Sequence, residues 1–159
     1  MATLEQPVRI DAGASIDLDA VMEVMDSAFG DEFGEAWTRS QLSGILPMSG
    51  VELRVARDSA NDSMLGFSLT RTVADESELL LLAVDPHNQR NGIGRRLLED
   101  FVNSARRERA ARVHLEVRDG NPAISMYRAA GFLPVGRRRN YYQGASGKRF
   151  DAVTLALLL

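Results

Sequence analysis

The stretch Gln89-Arg90-Asn91-Gly92-Ile93-Gly94 is where the residue types of this chain most plainly suggest chemistry. Glycines at a helix start let backbone N–H groups approach an anion closely, and the helix dipole adds roughly half a positive charge there. Arg90, Arg95 and Arg96 add more, so the stretch suits a phosphate or pyrophosphate. An isolated Gly-x-Gly is often only a turn that packs a helix on a sheet; the strand before it, the helix after it and the flanking arginines favour an anion. Nucleotide triphosphate hydrolysis is disfavoured because no Gly-Lys-Ser/Thr follows, and Leu97 stands where a dinucleotide fingerprint has its third glycine.

A carboxylate and a phenol follow downstream. Glu116 alternates with Val113, Leu115 and Val117, so its side chain leaves the opposite face of that strand. Near a strand's C-terminal end, where parallel sheets place their ligands, a carboxylate can act as general base directly or through water. The plainer alternative is a solvated Glu or one paired with Arg118 or His114. Tyr127 sits on the next helix, in Tyr-Arg-Ala-Ala-Gly-Phe. A helical Tyr is a core residue unless its hydroxyl reaches a leaving group.

The elements that must hold these groups can be read from periodicity. Val8-Arg9-Ile10 is a short strand; Leu18, Val21, Met22, Met25 and Phe29 recur at helical spacing, with Gly30 placed to end the helix. Thr38 N-caps a second helix running to about Ile45. Val51 to Arg57 and Met64 to Val73 form a hairpin, and Glu78 to Val84, apolar without alternation, reads as a central strand buried on both faces. The helical stripe from Ile93 through Ala105 and the strand Val113 to Val117 complete a βαβ unit, which makes the two strands parallel. Asn121 caps a short helix, Pro122 to Ala130, before Gly131, and Arg139 to Tyr142 with Phe150 to Leu158 forms a terminal hairpin.

The 159 residues, 45% hydrophobic and 26% charged, match one globular domain over 1–159 and exclude a disordered or membrane-spanning chain. The start, Met-Ala-Thr-Leu-Glu-Gln-Pro, lacks the regions of a signal peptide, which predicts a cytoplasmic protein. There is no cysteine, and His87 and His114 stand far apart, so no metal site is expected. The net charge of −3 conceals two halves: residues 1–89 sum to −11 and residues 90–159 to +8. An anionic ligand for the second half and a cationic partner for the first would suit that split, as would two solvated faces.

Residues 76–94, Leu-Glu-Val-Arg at 115–118, Asn121 and Tyr-Arg-Ala-Ala-Gly-Phe at 127–132 together resemble the GNAT superfamily of acetyl-CoA-dependent N-acetyltransferases. Arg-Arg-Asn-Tyr-Tyr at 138–142 and Asp151-Ala152 are similar to its RimI-like branch, whose members acetylate the N-terminal alanine of a small-subunit ribosomal protein. The resemblance implies an α/β fold with a mixed, mostly antiparallel sheet, flanking helices, and fourth and fifth strands that are parallel and splayed, with the cofactor in the gap. It further implies that Leu82, Ala83 and Val84 bond the pantetheine arm and that Gln89, Arg90, Asn91, Gly92, Ile93, Gly94 and Arg95 hold the pyrophosphate. Glu116 is then the general base, Tyr127 the acid at the departing thiolate, and Asn121 a contact near the thioester. Trp37, Thr38 and Tyr141 line the acceptor side.

Two departures from that pattern stand out. Ala36 replaces the proline that usually precedes the tryptophan, which predicts a less rigid acceptor loop. Asn121 and Tyr127 are six positions apart rather than the usual seven; one residue turns a helix by about 100°, so the loop before Pro122 must absorb the difference if Tyr127 keeps its place. The implied partners are acetyl-CoA and a protein or peptide N-terminus, with no nucleic acid or membrane required; Asp31, Glu32 and Glu35 beside Trp37 suit a cationic acceptor or, equally, a solvated acidic loop. A small-amine acetyltransferase and a non-catalytic acyl-CoA sensor are the alternatives.

Overall fold

The computed structural model describes residues 7–159; residues 1–6, on which most of the signal-peptide reading falls, lie outside the described residues. The elements run β1 (Val8–Ala12), α1 (Leu18–Phe29), α2 (Arg39–Ile45), β2 (Val51–Asp58), β3 (Met64–Val73), β4 (Glu76–Val84), α3 (Ile93–Arg107), β5 (Arg112–Arg118), α4 (Ile124–Ala129), β6 (Leu133–Gln143) and β7 (Arg149–Leu158). This is the order that periodicity predicts. Local chemistry explains the boundaries. α1 stops at Gly30, whose φ of +58° is costly for any residue with a Cβ. α2 starts from a reciprocal cap in which Gln41 N–H donates to the Thr38 hydroxyl and Thr38 N–H donates to the Gln41 amide oxygen.

Seven strands form one mixed sheet in the order β1-β2-β3-β4-β5-β7-β6, with β4 at its centre. β4 and β5 are parallel and the other neighbours antiparallel. Both faces are covered. α1 and α2 bury Leu18, Val21, Met25 and Leu42 against Val55, Phe67, Leu69 and Leu81. On the other side Leu98, Phe101 and Tyr127 pack with Leu79, Leu115, Phe132 and Leu155.

β4 is central with buried side chains on both faces, as its apolar run predicts; one detail of it and two element boundaries differ from the sequence reading. Burial along β4 alternates, and its register against β3 shifts so that Leu81 opposes Leu69 while Leu79 opposes Thr70. Leu80 is therefore the extra residue of a β-bulge, which sends Leu79 to the α3 side and Leu81 to the α1 side. An unbroken apolar run conceals such a change of face. β6 begins at Leu133 rather than Arg139; it is a sheet edge, where Pro134 and three consecutive arginines are tolerated because one side has no strand to bond. α4 begins at Ile124 rather than Pro122, because the Asn121 side chain accepts from Ala123 N–H and closes a turn before the helix starts. Gly131 ends that helix with φ +99°, as its position predicts.

Candidate active site

The parallel pairing of β4 with β5 covers Glu76↔Arg112 through Leu79↔Leu115 and then stops. β4 continues to Val84 bonded to β3, and β5 continues to Arg118 bonded to β7. The two strands thus diverge into a gap. Leu82, Ala83 and Val84 present a backbone edge with no strand partner on the β5 side, and Glu116 is the first β5 residue past the last parallel pair.

The N-terminus of α3 stands at the same end of β4. Gly92, its N-cap, has φ +76°, and no side chain caps the first turn. Arg90 also adopts a positive φ of +66°. A Cβ at Gly92 would meet nothing within 4 Å, so the backbone angle, not space, calls for glycine there. The orphan N–H groups of this turn form a concave donor set of the kind that takes a phosphate. Gln89 bonds the Val84 carbonyl at 3.3 Å, which ties the loop back to the strand. Two of the three flanking arginines are engaged within the protein: Arg95 pairs with Glu99 along the helix at 3.0 Å, and Arg96 donates to the Val8 carbonyl.

The other wall of the gap is made of side chains. Glu116 projects opposite Val113, Leu115 and Val117, and its Oε1 lies 2.8 Å from Arg138 Nε. Neither Arg118 nor His114 is its partner: His114 lies 2.8 Å from Glu76, and Arg118 turns to Glu35. Arg138 reaches Glu116 from a bulged part of β6, where the register skips from Arg138 to Tyr142 and Asn140 takes φ +53°. Asp151 holds the bulge by accepting from Asn140 N–H and from Arg137; these bonds lower its carboxyl below the ordinary value. The Arg138 guanidinium also stands 5.2 Å from the ring centre of Tyr141, a half-exposed residue packed edge-on against Tyr142.

Tyr127 is buried beside Phe132, and burial first, then the charge of Glu35, pushes its phenol above the ordinary tyrosine range. Tyr142 is raised in the same way, by burial first and then by Tyr141, Glu35, Glu116 and Tyr127. These groups therefore share one neighbourhood. Glu35 is not part of a solvated acidic face. Its side chain is 10% exposed, with Oε1 3.2 Å from the Nε of an Arg118 side chain only 9% exposed. That contact is a close ion pair whose N–H is not aligned for a hydrogen bond. Asn121 donates to the other Glu35 oxygen at 2.8 Å, so both polar ends of its side chain are engaged within the protein. Trp37 and Thr38 follow on the same loop, Trp37 packed into the α1 core and Thr38 capping α2.

Sequence reasoning missed Arg138 as the partner of Glu116 and missed the buried Glu35–Arg118 pair. The only available signal was the excess of arginines after residue 89, many of which prove to pair inside the protein. Among the described residues no group of three His, Cys, Asp or Glu side chains could hold a metal ion.

A strand gap between parallel β4 and β5 beside a glycine-capped helix N-terminus is the fold arrangement that the motif resemblance implies. Residues 21–144 match the GNAT acetyltransferase domain, and the chain belongs to that family. Among its curated relatives is the ribosomal protein bS18-alanine N-acetyltransferase of Escherichia coli K12, 42% identical over 98 residues that span 61% of this chain and 66% of that protein, just under two thirds. The Haemophilus ducreyi protein of the same name is 32% identical over 77% of this chain and 83% of its own. The crystal structure of the Escherichia coli ribosomal-protein-S18-alanine N-acetyltransferase superposes with a TM-score of 0.85 at 32% identity, covering 95% of this chain and 93% of the other.

Proposed function

We propose that the protein transfers the acetyl group of acetyl-CoA directly to the α-amine of a protein N-terminus, most specifically the N-terminal alanine of a small-subunit ribosomal protein in the cytoplasm. The observation that carries this reading is the gap between β4 and β5, with Glu116 at its base and the uncapped turn of α3 at its mouth. The names of the Escherichia coli and Haemophilus ducreyi relatives supply the acceptor.

The residues fit the cofactor. The N–H groups from Arg90 to Gly94 would hold the pyrophosphate, with Arg95 adding field strength, and the free edge at Leu82, Ala83 and Val84 would bond the amide-bearing arm. Acetyl-CoA supplies a thioester, so the acyl group arrives activated and no enzyme nucleophile is needed, which suits a chain without cysteine. Glu116 accepts a proton from the attacking amine through the oxygen that Arg138 leaves free. An α-amine of ordinary pKa ~7.7–8 is roughly 10–15% neutral at pH 7, against well below ~0.1% for a lysine amine, so a modest base suffices for N-termini.

Tyr127 serves the leaving sulfur. Its raised phenol stays protonated through neutral pH, while a free thiol ionises near ~8.5. Full proton transfer from Tyr127 to the thiolate is thus uphill, and its effective role is a hydrogen bond to sulfur as charge develops. Tyr141, beside Arg138, and the Trp37–Thr38 loop form the acceptor side.

The test is incubation with acetyl-CoA and a peptide copying the ribosomal N-terminus, with free thiol and peptide mass as readouts. One acetyl group on the α-amine with stoichiometric thiol is expected. Turnover of polyamines or aminoglycosides with an inert peptide overturns the acceptor, and cofactor binding without thiol release overturns catalysis.

A further inference from the structure

Asn121 occupies the place where the motif resemblance implies a cofactor contact, and the structure gives its side chain other work. Its amide oxygen accepts from Ala123 N–H at 2.9 Å, and its amide nitrogen donates to Glu35 at 2.8 Å. Glu35 lies 86 positions earlier in the chain, on the loop between α1 and α2. The other Glu35 oxygen faces the buried Arg118, whose guanidinium lies 3.6 Å from the ring centre of Phe33 and donates to the Asp119 carbonyl. Phe33 in turn meets Phe150 edge to face at 5.0 Å.

The backbone joins in. Ala145 N–H donates to the Asp31 carbonyl at 2.9 Å. Added Cβ atoms would stand 2.0 Å from the Gln143 carbonyl at Gly34 and 1.9 Å from the Glu32 carbonyl at Gly144. The loop that carries Trp37 is thus held between the end of β5 and the β6–β7 turn. A proline before Trp37 would stiffen this loop locally; with Ala36 in that place, contacts from distant segments position it instead.

We propose that Asn121, with Glu35 and Arg118, forms a latch that positions the acceptor-side loop, and that Asn121 acts on acceptor binding rather than on the cofactor. The one-residue shortening falls between Asn121 and Tyr127, in the segment whose first turn the Asn121 side chain closes. The effect on acceptor turnover rests on the acetyltransferase reading above; the effect on the loop does not. The three side chains are positioning residues.

A charge-swap cycle tests it. Asn121→Asp keeps the acceptor for Ala123 but replaces the donor to Glu35 with a like charge. Glu35→Gln in the same chain remakes the bond with donor and acceptor exchanged and restores a single negative charge to the pair. Trp37 is the chain's single tryptophan and reports the loop without any acceptor. Asn121→Asp alone is expected to red-shift Trp37 emission, increase its quenching by acrylamide and raise the acceptor-peptide KM about tenfold, with the acetyl-CoA KM held within about twofold. The double variant should return both readouts toward wild type.

A raised acetyl-CoA KM with unchanged Trp37 emission, or no recovery in the double variant, overturns the latch. If the wild type acetylates no peptide, the activity reading fails and the fluorescence cycle alone decides the latch. Should Asn121→Asp not fold, Asn121→Ser carries the same readouts, because its hydroxyl can still accept from Ala123 while the donor to Glu35 is gone.

Discussion

The α3 wall of the cleft takes its polar groups from the backbone of one continuous stretch, the end of β4 through Gly94. The proposed facing wall takes side chains from the α1–α2 loop, β5, the turn before α4, α4 itself and β6. Backbone donors are present whatever the side chains are, provided glycine supplies the angle; a wall of paired charges fails when one member is lost. The first wall should therefore tolerate most substitutions and the second few.

Substitutions on the side-chain wall should have the largest effects. Glu116→Gln is expected to lower kcat by ~10²–10⁴ near neutral pH and much less at high pH, where the amine is already neutral; a flat pH–rate comparison would remove Glu116 as base. Tyr127→Phe should cost on the order of 10² in kcat with little change in acetyl-CoA binding by calorimetry. Normal turnover by that variant would leave the phenol a packing group.

Gly34→Ala tests whether the loop seat matters as geometry. Its φ of +73° and the Gln143 carbonyl 2.0 Å from the new Cβ should together lower stability by roughly 2–3 kcal/mol and raise the acceptor KM. Chemical denaturation and peptide titration read the two parts separately. On the opposite wall Gly92→Ala meets only the backbone penalty, since its Cβ would have open space. A loss of ~1–2 kcal/mol, seen as a severalfold rise in acetyl-CoA KM with the acceptor KM unmoved, is expected there. Equal changes in both KM values would erase the distinction between the walls.

The smallest effect concerns alkaline stability. Folding raises the phenols of Tyr127 and Tyr142 above their ordinary 10.0, chiefly by burial. The stability tied to that shift is full below 10.0 and declines as pH rises past it. The melting temperature should fall by a few degrees between about pH 9 and about pH 11, and the fall should shrink in Tyr142→Phe.

Much of the fold was legible because its signals are local. Gly30, Thr38 and Gly131 mark helix ends through their own backbone or side-chain chemistry, and α3 shows its buried stripe directly. The glycine loop could be read for the same reason. The Leu80 bulge was not legible, because a run of leucines has no polar residue to reveal a change of face. Nor was the start of β6, where an edge strand tolerates residues that elsewhere signal a loop.

By itself, then, the sequence determined the order of elements, the anion-suited turn at Gly92 and the face from which Glu116 projects, all consequences of angles and periods within a few residues. Only the tertiary structure decided that Arg138 rather than Arg118 meets Glu116, that Glu35 is buried against Arg118, and that Asn121 turns to Glu35. Charge pairing depends on separations of about 3 Å between atoms of distant segments. Thirteen arginines after residue 89 offer many such pairs, and chain order alone does not choose among them.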